Sequence, residues 1–486
     1  MLGYALGAIR QGADVQIVRV QADVGPGFPR FTIVGLPDSS VSEAKARIRS
    51  AFHHTGLPFP KGRITVNLQP ASLKKQGSWL DLAIAVAILR ASSTPAIPHD
   101  ATVFVAELAL DGGLVPQSGL SAIGLRMRDE GLSSLCVSTH QRVPWPLENM
   151  LHITRASNLG DVVAQRRAPK APSEDAQARN IALRESARWI PPLSGHSMEY
   201  RLLAICAAGR HTLLMVGSPG VGKSTLAEAH TQLLPDLAEE EALEVAAWQE
   251  IANPDYIFTF RPPVRRPHHA VSPRAMLGGS RWGTPGEVTL AHRGVLLLDE
   301  MLEFSHASLN ALREPLDRGS VECVVNGKPT LFPAAFQLIA TANPCPCRYR
   351  GYGDCTCTDV DVRRYWTRCP GPILDRIDVV HHVNRTTSHE RDSTPLESWI
   401  QKVQEARALL ASSSRRTSAL SNEANRALQR ACDRLHASER DRAKVEKLAT
   451  TIAALEGRDE ALAPHVEEAI AWRRPGSLSP MRHAVP

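Results

Sequence analysis

The sequence predicts an α/β protein that ends in a helical region, and three observations carry that prediction. Short runs such as Val15–Val20 and Arg63–Leu68 alternate apolar and polar residues like half-buried strands, and segments such as Val41–His53 between them have helical spacing. In mid-chain, the apolar run Leu213–Val216 leads through a glycine-rich turn into Thr225–Leu234, where Leu226, Ala229, Leu233 and Leu234 recur at helical spacing. Near the end, Leu435–Leu455 carries Leu435, Val445, Leu448, Ile452 and Leu455 at helical positions.

The glycine-rich turn organises the rest. Gly217-Ser218-Pro219-Gly220-Val221-Gly222-Lys223-Ser224 fits G-x-x-x-x-G-K-[ST] at every fixed position, in a strand–loop–helix context that continues through Thr225. Glycines at 217, 220 and 222 let the loop wrap so that backbone N–H groups converge on one anion. Lys223 then reaches the β- and γ-phosphates of a nucleoside triphosphate, and Ser224 Oγ is placed for Mg²⁺.

Length and composition bound the class. A chain of 486 residues is expected to hold about three domains. Its 43% hydrophobic and 22% charged residues are ordinary for a globular protein, and a net charge of +6 permits nucleic-acid contact without demonstrating it. No apolar run approaches the roughly 18 residues of a membrane span, so no membrane partner is expected. Nine cysteines, four of them between Cys345 and Cys357, argue for free thiols in a reducing cytoplasm rather than a disulfide framework.

Residues 1–160 read as one α/β domain. Strands are expected at Val15–Val20, Phe31–Val34, Arg63–Leu68, Thr102–Glu107 and Leu135–Ser138, with helices at Val41–His53, Leu80–Leu89 and Ser118–Asp129. Residues 161–188 shift to Ala, Arg, Pro and Gln and read as a linker. The nucleotide-binding core is expected over 189–384 and a helical lid over 385–486.

Within the core, Val295–Leu298 is a buried strand that delivers Asp299 and Glu300 to the phosphate site. Asp299 suits the Mg²⁺ shell with Ser224, and Glu300 suits the role of polarising water. A further apolar strand ends in Asn343, whose amide can hold that water or simply open the Asn343-Pro344 turn. Arg376, in Ile373-Leu374-Asp375-Arg376-Ile377-Asp378, reads by itself as a solvated charge.

Cys345-x-Cys347 and Cys355-x-Cys357 supply four thiolates for a structural Zn²⁺, although C-x-C is tighter than the usual knuckle; reduced thiols and redox chemistry stay open as alternatives. Arg261–His269 is a basic cluster suited to phosphate or subunit contacts, and its adjacent His268 and His269 are expected to diverge. Arg363-Arg364-Tyr365-Trp366 offers base stacking beside positive charge, or two core aromatics.

Two stretches of the first domain resemble the proteolytic domain of Lon-type proteases: Leu73–Asp81 and Gly113–Leu120. The positions of the family's serine and lysine fall on Trp79 and within Ser121–Ile123, so the resemblance implies the fold without the Ser–Lys chemistry. Ser78, three residues before Asp81, reads as a helix N-cap. Across nearly its whole length the chain resembles the magnesium-chelatase-like AAA+ ATPases of the YifB/ComM type. The matching pieces are VGLPDSSVSEAKARIRSA at 34–51, ITVNLQPASL at 64–73, the phosphate loop, RRPHHAVS at 265–272, PGEVTLAHRGVLLLDE at 285–300, ALREPLDRGSV at 311–321, NPCPC at 343–347 and GPILDRID at 371–378.

This resemblance implies a homo-oligomeric ring, hexameric by analogy, with ATP between subunits and Arg376 as the finger that reaches a neighbour's γ-phosphate. It also implies that Ser438-Glu439-Arg440 opens a lid helix and brings Arg440 to ATP, against the plainer reading of an N-cap and a solvated arginine. Four positions depart from the family: Gly195-His196 where Gly-Gln is usual, Val325 and Ala335 where arginines are usual, and Arg348 where a glycine follows CPC. The function implied is an ATP-driven motor on DNA, a helicase or branch-migration enzyme serving transformation and recombination. The alternative is an ATPase that remodels a metal-insertion complex or another protein partner. A chelatase motor is expected to lack the N-terminal domain, and a protease-like machine is weakened by the missing dyad.

Overall fold

The computed structural model describes residues 2–11, 14–71, 75, 77–92, 97, 100–164, 197–279, 283–325, 328–351, 353–384, 396–413 and 420–473. The described chain forms two compact units: Met1–Glu185 with Ala238–Phe260 and Trp282–Thr284, and Ser186–Leu237 with Arg261–Arg281 and Pro285–Pro486. The first residues of the expected linker close the helix Leu159–Ala164; most of that linker, and Gly195-His196, lie outside the described residues.

The first unit is built on a seven-stranded sheet. Its strands are β1 (Leu2–Gln11), β2 (Asp14–Gly25), β3 (Arg30–Val34), β4 (Arg63–Gln69), β5 (Val103–Val105), β8 (Ser134–Ser138) and β9 (His152–Ala156), while β6 (Glu107–Leu108) and β7 (Leu114–Val115) form a separate pair. The spatial order is β3-β4-β2-β1-β5-β8-β9. β4 alternates as its sequence requires, burying Ile64, Val66 and Leu68. β1 lies at the centre of the sheet and was not among the expected strands. Its glycines let a helix sit on the strand: a Cβ on Gly3 would lie 2.2 Å from the Ala87 carbonyl oxygen. That helix, Asp81–Ala91, is buried along its whole length.

Ser78 does not cap this helix, as its spacing had suggested. The residue before the helix is Leu80, and the Ser78 hydroxyl donates instead to the Glu107 carboxylate. The two positions relevant to a protease dyad are also otherwise engaged. The Arg10 guanidinium lies 5.2 Å from the Trp79 ring centroid, and Ser121 Oγ donates to Glu250 Oε1 at 2.5 Å. Glu250 comes from the helix Glu239–Ala252, which belongs to this unit although the chain reaches it after the phosphate loop. Burial pushes the Glu250 carboxyl up, against hydrogen bonds from Ser121 that pull it down.

The second unit is organised by a parallel five-stranded sheet of β10 (Leu213–Val216), β11 (Val264–Arg265), β12 (Val295–Leu298), β15 (Gln337–Ala342) and β16 (Val379–His382). Its spatial order is β11-β12-β15-β10-β16. β10, β12 and β15 are buried at every position, the pattern expected of strands covered on both faces. A hairpin of β13 (Ser320–Val325) and β14 (Lys328–Pro333) stands outside the sheet.

The C-terminal helices Leu396–Ser413, Asn422–Leu435, Glu439–Leu455 and Ala463–Arg473 share one apolar cluster with the sheet: Val403, Leu428, Leu448, Ile452 and Val466 belong to the same core as Leu213, Val295 and Ile339. The expected helix over Leu435–Leu455 is in fact two. The chain breaks at His436, at φ +48°, and Ser438 restarts it as an N-cap, accepting from the Asp441 N–H at 3.2 Å.

Candidate functional site

The phosphate loop leaves the end of β10 at Gly217 and turns into the helix Lys223–Leu233. Gly222, the residue before that helix, sits at φ +93°, a conformation glycine adopts without the cost a Cβ would bring. The N–H groups of the helix's first turn have no partner within the helix, so together they present a positive end to an anion. Lys223 is 8% exposed, and its ammonium folds onto the loop, donating to the carbonyls of Gly217 (2.7 Å) and Ser218 (2.9 Å) and to Asn343 Oδ1 (3.3 Å). Burial pushes this ammonium below its ordinary value; the charges of Asp299 and Glu300 oppose the drop, and Arg348 adds to it.

Parallel pairing brings the ends of β12 and β15 to the same edge. Ser224 Oγ donates to the two Asp299 oxygens at 3.3 and 3.4 Å. Glu300 follows at φ +50°, a left-handed backbone that costs a residue with a Cβ on the order of 1 kcal/mol. Asn343 is 3% exposed and donates through Nδ2 to Glu300 Oε1 at 3.4 Å, so its amide bridges Lys223 and Glu300 rather than only opening a turn.

Thr341, which sequence reasoning missed, ties the two acids together. Its hydroxyl donates to Asp299 Oδ1 at 2.5 Å and accepts from the Glu300 N–H at 3.0 Å. Its signal was present: Thr341 lies on the strand two residues before Asn343, the spacing at which extended chain returns side chains to one face.

Arg376 and Arg440 attend a different carboxylate. Arg376 grips Asp317 with two donors, Nε at 2.7 Å from Oδ1 and a second nitrogen on Oδ2, and also donates to the Pro372 carbonyl at 2.5 Å. The Asp317 carboxyl is held below its ordinary value, first by that hydrogen bond and then by the charges of Arg376, Arg440 and Arg313.

The four clustered cysteines do come together. Sγ–Sγ distances are 3.3 Å for Cys345–Cys347, 3.7 Å for Cys345–Cys355 and 3.5 Å for Cys347–Cys355, and all four sulfurs lie within 4.8 Å of one another. A tetrahedron with metal–sulfur bonds of about 2.3 Å has edges of about 3.8 Å, so the set fits Zn²⁺. All four are free thiols. The Cys347 thiol is lowered to about 6, chiefly by the Tyr349 N–H it accepts from, whereas the Cys345, Cys355 and Cys357 thiols are raised.

Other expected contacts fall away. Tyr365 and Trp366 are 6% and 2% exposed, so they are core aromatics and not a stacking surface for bases. In the basic cluster, Arg265 is paired with Glu287 and Arg266 with Glu228, leaving less charge there for phosphate than the sequence suggested. His268 and His269 do not diverge; their ring centroids are 4.0 Å apart.

A parallel sheet with a phosphate loop on one strand and an acid pair on another defines a nucleotide-binding protein of the P-loop class. Comparison with known families narrows this. Residues 191–391 match the family described as magnesium chelatase, subunit ChlI, residues 384–473 its C-terminal region, and residues 20–141 the family described as subunit ChlI of Mg-chelatase. The chain is 33% identical over 487 aligned residues to competence protein ComM of Haemophilus influenzae, covering 95% of each. It is 37% identical over 371 residues to the uncharacterized protein YifB of Escherichia coli, covering 76% of this chain and 73% of that protein. An uncharacterized protein of Mycobacterium tuberculosis is 36% identical over 389 residues, 79% of this chain and 77% of its own length. The chain belongs to the YifB/ComM family of magnesium-chelatase-like AAA+ ATPases. Among the described residues, no helix is long and apolar enough to cross a membrane.

Proposed function

We propose that this chain assembles into a ring and couples ATP hydrolysis to work on DNA. The observation that carries the hydrolytic half is the convergence of Lys223, Ser224, Asp299, Glu300 and Asn343 at the end of one parallel sheet. Backbone N–H groups of Gly217–Thr225 would cradle the phosphates, and Lys223 would exchange the loop carbonyls for phosphate oxygens. Ser224 and Asp299 would hold Mg²⁺, which when bound neutralises charge on the β- and γ-phosphate oxygens. Glu300 takes the proton of the attacking water, and Asn343 orients that water. Arg376 acts on the γ-phosphate of a neighbouring subunit, and Arg440 contributes from the lid. In this reading residues 1–160 form a Lon-like domain without protease chemistry, followed by a core over 189–384 and a lid over 385–486.

The DNA half rests on likeness to a protein named for competence and on a net charge of +6, which is compatible with polyanion contact. The second reading, an ATPase that remodels a protein partner in the manner of a chelatase motor, is favoured by the family names themselves. Steady-state ATPase assays with and without single-stranded and forked DNA, at about 50 and 200 mM salt, separate the two. The DNA reading expects stimulation that weakens at the higher salt. A rate that DNA never changes would leave the protein-remodelling reading.

The cysteine set is proposed to hold one structural Zn²⁺. Elemental analysis of purified protein should find about one zinc per chain and far less in Cys345→Ser, since a four-thiolate site loses a quarter of its ligands. Metal-free wild-type protein with four titratable thiols would return the cluster to plain reduced cysteine.

A further inference from the structure

Arg348 links the cysteine cluster to the candidate base. It follows Cys347 directly, its N–H donates to the Cys345 carbonyl at 3.0 Å, and its backbone sits at φ +74°. Glycine enters that left-handed region freely and arginine does not, so the turn around the sulfurs imposes the conformation. From there the Arg348 guanidinium reaches to 3.8 Å from Glu300 Oε1, the oxygen that also accepts from Asn343 Nδ2 at 3.4 Å. Asn343 itself lies two residues before Cys345, so one short segment presents both a cation and an amide to the same carboxylate oxygen.

We propose that Arg348 is a positioning residue that restrains Glu300, and that the cysteine cluster, by fixing the turn, sets the strength of the restraint. This deepens the ATPase reading and rests on it. An oxygen facing a guanidinium and an amide donor is a poor acceptor for a proton from water, so turnover requires the carboxylate to leave them. Both side chains of the pair are nearly half exposed, 49% for Arg348 and 44% for Glu300, which makes the restraint modest and releasable.

The test measures kcat and ATP affinity for wild type, Arg348→Gly and Arg348→Lys, with zinc bound and after removal by a thiol-competitive chelator followed by added Mg²⁺. Arg348→Gly suits the left-handed turn, so folding is not at risk. It should raise kcat about 2–5-fold, with ATP affinity unchanged, while Arg348→Lys keeps the slow rate. Zinc removal should raise the wild-type rate by a similar factor and add nothing in Arg348→Gly, the non-additivity expected of two changes acting through one contact. An unchanged or lower kcat in Arg348→Gly overturns the restraint. Equal stimulation of both proteins by zinc removal overturns the link to the cysteines. If the wild type binds ATP without turning it over, activity in Arg348→Gly would uphold the restraint, and silence in that variant as well would overturn it.

Discussion

Glu300→Gln should bind ATP as the wild type does and turn it over on the order of 10²–10⁴ times more slowly, the usual contribution of a positioned general base. The expectation follows from where Glu300 sits. Its backbone is anchored through the Thr341 hydroxyl, and its carboxylate is in reach of Asn343, which in turn holds Lys223. A glutamine keeps the size and can still accept from Asn343, so the loop and the Ser224–Asp299 pair are left undisturbed and nucleotide affinity is preserved. Equilibrium binding of a fluorescent ATP analogue, alongside steady-state phosphate release, reads the two effects separately. Normal turnover in this variant would remove Glu300 from the role of base.

Arg376→Ala carries the other large effect, a loss on the order of 10³ in kcat if the arginine supplies charge to a neighbour's γ-phosphate. Within its own chain Arg376 is held by Asp317 and the Pro372 carbonyl, with Arg440 contributing charge to the same aspartate. Asp317 thus keeps the guanidinium oriented in an isolated subunit. The predicted loss belongs to assembled protein alone: at concentrations where subunits are monomeric by light scattering, wild type and Arg376→Ala should be equally slow. A variant that is slower than wild type as a monomer too would place Arg376 in its own subunit's chemistry.

Much of the nucleotide site was legible in the sequence because its parts are local. Leu213–Val216 runs into the glycine-rich loop, Val295–Leu298 runs into Asp299 and Glu300, and Gln337–Ala342 runs into Asn343, and a parallel sheet brings such ends to one edge. What escaped the sequence depends on distant pairing. Nothing in the pattern around Arg348 announces that a turn at positive φ will aim it at Glu300, 48 positions earlier in the chain. Asp317 reads as one more surface acid until Arg376 closes on it. The central strand β1 was hidden by glycines that mark a close approach as often as a break. Ser78 was misread because a capping spacing says nothing of a competing acceptor, here Glu107, brought from another strand. Tyr365 and Trp366 sit on a helix whose charged neighbours face outward, and only the packing reveals that both aromatics point inward.

The central claim is that each ATP site is completed across a subunit boundary, with Glu300 from one chain and Arg376 from the next. Its most direct test is ATP turnover by a mixture of two inactive proteins, Glu300→Gln and Arg376→Ala, exchanged into common assemblies. In a head-to-tail ring with equal random mixing, about a quarter of the interfaces pair an intact Glu300 with an intact Arg376, so the mixture should recover up to about a quarter of the wild-type rate. A mixture as inactive as its two components, in assemblies shown to contain both, would contradict the claim.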